Sequence, residues 1–175
     1  MKYILFAFTL VLLLAGCTGK NTDKVTKRNY PSHNYRYANI DTALLKYTEK
    51  DYVPVYSDIY HQDGTKRFLL TATVSLRNTS MVDTAIILSV TYYDSHGKKL
   101  KEYIDKAVIL SPLESIEFVV EEAENRGGAG ASFIIDWGAA RYSKQLLIQS
   151  IMIGSYGQQG ISFLTEARVM NSHFK

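Results

Sequence analysis

Four histidines, one cysteine and the serines are the side chains of this sequence that could supply a metal ligand, a nucleophile or a general base. The histidines stand at positions 33, 61, 96 and 173, and none has a second ligand at metal-site spacing. A serine nucleophile is expected within Gly-x-Ser-x-Gly, and residues 154–157 approach that motif without its spacing. A single cysteine excludes an internal disulfide, a redox pair and a cysteine-rich zinc site. The sequence therefore predicts no catalytic residue, no metal and no cofactor.

A glycine-rich segment is the first candidate contact site. Gly127, Gly128 and Gly130 leave backbone N–H groups unhindered, so they could cradle an anion or touch a partner. The Lys-Ser/Thr pair of a phosphate loop does not follow, and no helix is predicted after the segment, which favours a plain loop between strands. The acidic residues around it are Glu121, Glu122, Glu124 and Asp136. They could gather around Ca²⁺, although a solvated strand end is the simpler interpretation.

Three tyrosines form the second candidate site. In an extended chain Tyr52, Tyr56 and Tyr60 would point to one face, from which they could stack on a sugar or receive a partner strand. If another segment covers that face, the same tyrosines belong to the core. Pro54 lies on the same face and cannot donate a ladder hydrogen bond, so we expect an edge strand here.

The amino terminus predicts export. Lys2 precedes an apolar run over residues 4–14, about half the length that a membrane-spanning helix needs. Residues 14–17, Leu-Ala-Gly-Cys, resemble the lipobox of bacterial lipoproteins. The resemblance implies removal of residues 1–16 as a signal peptide and attachment of diacylglycerol and palmitate to Cys17. Thr18, rather than Asp, follows that cysteine, and in a two-membrane cell this resemblance implies the outer membrane.

Charge is concentrated after the lipobox. Residues 18–39 carry five bases and one acid, whereas the chain from residue 40 onward carries 14 bases and 16 acids. The overall positive charge therefore belongs to this segment, which removes the main argument for nucleic-acid binding. Residues 17–39 are expected to be a flexible basic tether that either touches anionic headgroups or acts as a spacer. Residues 40–175 are expected to be a single domain.

Hydrophobic residues in that domain recur mainly with a period of two. A short helix is expected over residues 41–49, and all other elements are expected to be strands. The predicted strands cover residues 52–60, 68–78, 86–92, 101–110, 115–122, 133–137, 146–154 and 161–169. Phe133, Ile135 and Trp137 are predicted to face the core. About eight short strands with regular turns favour an all-β, antiparallel, immunoglobulin-like β-sandwich, with a closed barrel as the alternative.

Several blocks of the domain carry a family resemblance. They are residues 52–57, 75–79, 92–94, 113–122, 127–131, 152–154 and 159–163. Together they resemble an uncharacterised bacterial family, domain-of-unknown-function family 3124. The strand over residues 74–79 and the later Tyr-Tyr-Asp and Leu-Ser-Pro-Leu-Glu segments also resemble extracytoplasmic immunoglobulin-like modules. The first resemblance carries no activity, and the second implies only the fold.

These observations predict a lipid-anchored protein of the bacterial cell envelope that is a non-catalytic binding or assembly module. Its partners would be the membrane, through the lipid on Cys17, and a protein or glycan of the envelope, but not nucleic acid. A hydrolase-type enzyme and a purely structural component are the competing interpretations. An enzyme needs a pocket that brings a histidine or carboxylate against a nucleophile, whereas a binding module needs an exposed aromatic surface.

Overall fold

The structure, a computed structural model, describes residues 35–141 and 146–175, and residues 35–175 form one compact unit. The predicted signal peptide, Cys17 and most of the predicted tether lie outside the described residues. No helix in the described part of the chain is long and apolar enough to cross a membrane. Tyr35 to Asn39 were expected in the tether, but the first strand lies within them.

Thirteen strands, rather than about eight, build the described chain. They are β1 (Tyr37–Ala38), β2 (Tyr47–Val55), β3 (Asp58–His61), β4 (Asp63–Leu69), β5 (Thr71–Asn78), β6 (Ala85–Tyr93), β7 (Lys99–Glu102), β8 (Ala107–Leu110), β9 (Ser115–Val120), β10 (Ala131–Ala139), β11 (Leu146–Tyr156), β12 (Gln159–Glu166) and β13 (Arg168–Phe174). One 3₁₀ helix covers Thr42–Leu44. Four of the extra strands arise where predicted strands are interrupted, and the fifth, β1, lies in the segment predicted as tether.

The strands form two open antiparallel sheets and a separate hairpin. Sheet I has the order β1-β8-β6-β10-β2-β13, with β7 added to β6, and sheet II has the order β12-β11-β5-β9. Strands β3 and β4 pair only with each other and are called the arm below. The predicted all-β antiparallel sandwich is confirmed.

Alternating side chains fill the space between the sheets. Val74 and Leu76 of β5 face Phe133, Ile135 and Trp137 of β10 across this core, and all five are fully buried. Burying each such side chain contributes about 1.5 to 3 kcal/mol relative to leaving it in water. The predicted inward direction of Phe133, Ile135 and Trp137 is confirmed.

Strand β6 shows where the period of two fails. Asp136 of β10 pairs with Ser89, but the next residue, Trp137, pairs with Ile87, so one residue of β6 bulges out of the ladder. A one-residue shift moves every later side chain to the opposite face. Ile87 is therefore fully buried at that end of the strand, whereas Ile86 is only half-buried.

Strand β2 corrects two predictions. The helix expected over residues 41–49 shrinks to Thr42–Leu44, capped by the Asp41 carboxylate, and β2 begins at Tyr47. This strand is also not an edge strand, because β10 and β13 flank it. The pairing with β13 stops at Tyr52, however, so Pro54 lies beyond the neighbouring strand where a missing N–H is tolerated.

Candidate ligand-binding cleft

The amides of the glycine-rich segment are bound by serine hydroxyls of the chain itself. Gly128 N–H donates to Ser57 Oγ (2.7 Å), and Gly130 N–H donates to Ser95 Oγ (2.9 Å). Ser95 Oγ donates in turn to the Gly127 carbonyl (2.8 Å). The segment therefore joins β10 to the turns after β2 and β6, and two of its amides are already used.

Gly127 is needed for packing. A Cβ on this residue would overlap the Tyr92 hydroxyl and lie 2.9 Å from Tyr92 Cζ. Gly128 has φ +79°, a conformation that favours glycine. Close packing and backbone conformation thus explain these two glycines without a ligand.

The three tyrosines do not form one continuous stripe. Val53 and Val55 face the core, so Tyr52 lies half-buried on the outer face of sheet I. Tyr56 follows the end of β2 and is half-buried against the core. Tyr56 packs against Phe163 of β12, with ring centroids 5.5 Å apart. Tyr60 belongs to the arm and is 57% exposed, because the predicted strand 52–60 breaks at residues 56 and 57.

The acidic residues are also dispersed. Glu124 pairs with Arg126 (Nε to Oε1, 2.7 Å), and this hydrogen bond lowers the pKa of Glu124. Asp136 pairs with Lys50 (2.9 Å) and accepts from Ser89 Oγ (2.7 Å) on the outer face of sheet I. Within residues 35–141 and 146–175, no group of three or more His, Cys, Asp or Glu is placed to hold a metal ion.

A cleft of about 480 Å³ lies between the arm and the β11–β12 hairpin. This volume is in the range of small-molecule sites. Its lining consists of His61, Gln62, Lys66, Arg67, Phe68, Leu69, Glu122, Ser155 and Tyr156. Residues from β3, β4, β11 and the turn after β9 thus meet at one end of the sandwich.

Three aromatic rings form one wall of this cleft. The rings of His61 and Tyr156 are 6.0 Å apart, and Phe68 lies 6.1 Å from His61 and 6.4 Å from Tyr156, measured between centroids. Tyr156 is 71% exposed. The wall therefore offers an aromatic face to solvent instead of burying it.

Backbone conformation brings the two hairpins together. Gly154 allows β4 to cross β11, since a Cβ there would lie 2.5 Å from Phe68 Cε1 and 2.8 Å from the Leu69 carbonyl oxygen. Gly157 adopts φ +61° in the turn that follows Tyr156. Gln62 adopts φ 64° at the tip of the arm, where a non-glycine residue is strained.

Two cations stand at the opening of the cleft. Arg67 pairs with Asp58, which is 4% exposed, and its guanidinium lies 4.5 Å from the centre of the Tyr60 ring. The hydrogen bond from Arg67 to Asp58 raises the pKa of Arg67 above its usual value. Lys66 Nζ donates to Gln62 Oε1 (2.7 Å). Arg67 is thus held in place, while Lys66 is held only by an exposed amide.

The cleft also brings together an imidazole, a hydroxyl and a carboxylate, from His61, Ser155 and Glu122. Among the described residues, however, no hydrogen bond or ion pair joins His61 to either of the other two. A nucleophile is activated by a base within about 2.6 to 3.2 Å. The three groups share the cleft without forming such a relay.

The residues that line this cleft are not grouped by any pattern in the sequence. His61, Phe68 and Tyr156 span 95 positions, and no pattern in the sequence pairs the arm with the β11–β12 hairpin. The available signals were the two glycines of residues 154–157, which the sequence suggests as hairpin residues, and the two cations directly before an aromatic residue at positions 66–68.

A second polar cluster lies inside the sandwich, away from the cleft. Glu49 and Asp51 point inward from β2 and are 8% and 3% exposed. Trp137 Nε1 donates to Asp51 Oδ2 (2.8 Å), and the Tyr47 hydroxyl donates to Glu49. Burial raises the pKa of Asp51 to about 6; the Trp137 hydrogen bond opposes this rise, and neighbouring Glu49 adds to it. The two carboxyl groups can share one proton.

Comparison with known proteins decides the family. The family model described as "Protein of unknown function (DUF3124)" matches residues 48–170. The chain belongs to this family. No curated protein matches it. A solved structure from Thermotoga maritima, titled "Crystal Structure of Thermotoga maritima 1070", is similar at 13% identity over 69% of this chain and 92% of that chain, with a TM-score of 0.39.

Proposed function

We propose that this DUF3124 protein is a lipid-anchored, non-catalytic binding module of the bacterial cell envelope, and that its cleft takes a saccharide. The anchoring part of the proposal is supported by the sequence, in which the single cysteine ends the Leu-Ala-Gly-Cys segment after a short apolar run. Thr18 after that cysteine favours the outer membrane where a cell has two membranes.

The observation that carries the binding role is the composition of the cleft. The exposed Tyr156 ring, with Phe68 and His61 beside it, offers a surface on which the apolar face of a sugar ring can stack. Lys66 and Arg67 offer N–H donors at the opening, and Glu122 offers an acceptor. Arg67 is already paired with Asp58, whereas Lys66 has no ion pair among the described residues, and this cation favours a saccharide that carries an acidic group.

Titration of the full chain in detergent micelles tests this role. The probe is an oligomer of galacturonic acid, with a glucose oligomer of equal length as the neutral comparison. We expect the acidic oligomer to bind more tightly, and Tyr156→Ala and Lys66→Gln each to weaken its binding at least tenfold, about 1.4 kcal/mol.

Matched controls are available outside the cleft. Tyr37 is 48% exposed on β1, and Lys98 is exposed in the β6–β7 turn. Tyr37→Ala and Lys98→Gln should leave the affinity unchanged. Equal losses in the cleft and control variants, or binding of neither oligomer, would reject the saccharide site.

Anchoring has a separate test. Cys17→Ser should leave an unacylated precursor and abolish the mature membrane form, and incorporation of acyl label into that variant would reject the lipobox interpretation.

Gln substitutions at Lys20, Lys24, Lys27 and Arg28 test whether the tether contacts lipid. Arg36 is unsuitable for that set because it pairs with Glu114 in the fold.

A hydrolase remains the second candidate because His61, Ser155 and Glu122 line the same cleft. It differs from the binding module in one measurable way. Cleavage of the acidic oligomer by the full chain, abolished by Ser155→Ala, would favour the enzyme, whereas intact oligomer after prolonged incubation would favour the binding module.

A further inference from the structure

The end of the sandwich opposite the cleft exposes three apolar side chains on two neighbouring turns. Met81 and Val82 are each 79% exposed in the β5–β6 turn, and Leu113 is 64% exposed in the β8–β9 turn. Leu113 N–H donates to the Ser80 carbonyl oxygen (3.1 Å), which joins the two turns. These three residues are called the apolar tip below.

The tip is held by a buried side chain. Asn78 is 2% exposed, and its amide nitrogen lies within hydrogen-bond distance of the carbonyl oxygens of Asp83 (2.8 Å), Leu110 (3.1 Å) and Ser111 (2.9 Å). The turns that carry the tip are therefore fixed to the ends of β5 and β8, and the apolar side chains project from a rigid base.

Leu113 is an unusual choice for its position. Its φ is 60°, a conformation in which glycine or asparagine is favoured and a leucine is strained. Its side chain is mostly exposed, so packing within the chain does not account for the leucine. A strained and exposed apolar residue indicates a contact outside the chain.

The amino-terminal side of the chain enters the domain at this same end. Arg36 pairs with Glu114, and its guanidinium donates to Ser111 Oγ (2.6 Å), so it holds both flanks of the turn that carries Leu113. Cys17 precedes Tyr35 by 18 positions, which can span at most about 60 Å. The described chain thus enters the domain at the end that carries the tip, within reach of the proposed acyl group on Cys17.

The cleft lies at the other end. Strand β5 runs from Thr71, opposite Ile153 near the cleft, to Asn78, opposite Leu146 near the tip. Eight strand residues separate the two ends by roughly 25 Å. Among the described residues beside the tip, Arg36 pairs with Glu114 and Arg141 lies 4.0 Å from Asp83.

We infer that the apolar tip inserts into the interface of the lipid bilayer and turns the cleft away from the membrane surface. The inference rests on the proposed lipid anchor, which supplies the bilayer. Three aliphatic side chains on projecting turns fit the acyl–headgroup boundary better than a flat protein interface. Insertion beside the point of chain entry would give the domain a fixed orientation.

Fluorescence in vesicles tests this orientation with the full, acylated chain. Cys17 is consumed by the lipid, so Met81→Cys supplies a single free thiol for an environment-sensitive nitrobenzoxadiazole label. His96→Cys, in the exposed turn at the cleft end, is the matched control. Both labelled proteins are reconstituted in phosphatidylcholine vesicles with and without brominated acyl chains, and mass spectrometry of the same samples reports acylation of Cys17.

The label at position 81 should shift to shorter emission wavelength and be quenched by the brominated chains, whereas the label at position 96 should resemble free dye. Val82→Cys replaces Met81→Cys if that variant does not fold. An acylated, vesicle-bound protein whose position 81 is as water-exposed as position 96 overturns the inference and leaves the anchor intact. Absence of acylation at Cys17 overturns both. Shielding that increases with protein concentration at constant lipid indicates a second copy of the chain and also overturns the inference.

Discussion

The glycines of residues 127–130 and those of residues 154–157 lie at the same end of the sandwich, and their surroundings differ. In the first segment Ser57, Ser95 and Tyr92 close around the backbone. In the second, Gly154 lets two strands cross and the following Tyr156 ring remains exposed above a cleft. Glycine-rich sequence alone did not distinguish them. Side chains from distant parts of the sequence determine whether a glycine-containing turn is covered by the rest of the domain or stays exposed to solvent.

The largest expected effect is on the core of the sandwich. Trp137 is fully buried and donates to the buried Asp51. Trp137→Ala should lower the free energy of unfolding by about 3 to 5 kcal/mol, because it leaves a cavity and an unpaired carboxyl group. Urea denaturation measures this loss. A melting temperature within a degree or two of the parent would contradict the packing described here.

A smaller effect is expected from pH. The folded pKa of Asp51, about 6, is above its ordinary value, so the protonated carboxyl favours the folded state. The stabilising contribution of Asp51 should therefore be full below about pH 4 and be lost, by roughly 2 to 3 kcal/mol, as pH rises through about 6. Asp51→Asn keeps an acceptor for Trp137 and should flatten this decline in urea denaturation. A decline that persists unchanged in that variant would show that another group is responsible.

In the turn over residues 127–130, the backbone at Gly127 should tolerate no added side chain. Gly127→Ala places a methyl group against the buried Tyr92 and should cost about 1 to 3 kcal/mol of unfolding free energy. Gly64→Ala is the control, because no atom lies within 4 Å of the added Cβ. Adding Tyr92→Phe to Gly127→Ala should recover part of the loss, since it removes the overlapping hydroxyl. Equal stability of the two alanine variants would remove the distinction between closed and open turns.

Removal of the exposed ring from the turn over residues 154–157 should reduce ligand affinity without reducing the stability of the domain. Tyr156 is mostly exposed, so Tyr156→Ala should change the free energy of unfolding by no more than about 0.5 kcal/mol. The same variant should lose affinity for the acidic oligomer. A large drop in melting temperature would mean that Tyr156 supports the hairpin and does not serve a ligand.

The sequence predicted the sandwich because most strands bury one face, as Ile116, Phe118 and Val120 of β9 do. It failed on β2 because the inward positions include Glu49 and Asp51. Two carboxyl groups that face the core interrupt the alternation of apolar and polar residues along β2. The sequence carries no sign that Trp137 and Tyr47 will donate hydrogen bonds to them. The start of the strand was therefore interpreted as a helix.

The candidate site was less predictable than the fold. Tyr52, Tyr56 and Tyr60 were grouped by alternation along one extended chain, but the strand breaks before Tyr60, and Leu70 N–H donates to the Ser57 carbonyl oxygen at that break (2.9 Å). The cleft depends on how the arm folds over β11, which is a long-range contact. Local patterns report which face of a strand is apolar, and they do not report which hairpins meet.

The pairing of β2 has a consequence for how fast the domain can form. Its two neighbours, β10 and β13, come from residues 131–139 and 168–174, so its ladders join positions about 80 and 120 apart in sequence. Loops of that length must close before either ladder gains a hydrogen bond, and folding rates fall as the mean sequence separation of contacts rises. Until β13 pairs with β2, the edge of β2 opposite β10 is open to pairing with other chains. Of the ladders in the described chain, the one that covers this edge joins the residues farthest apart in sequence.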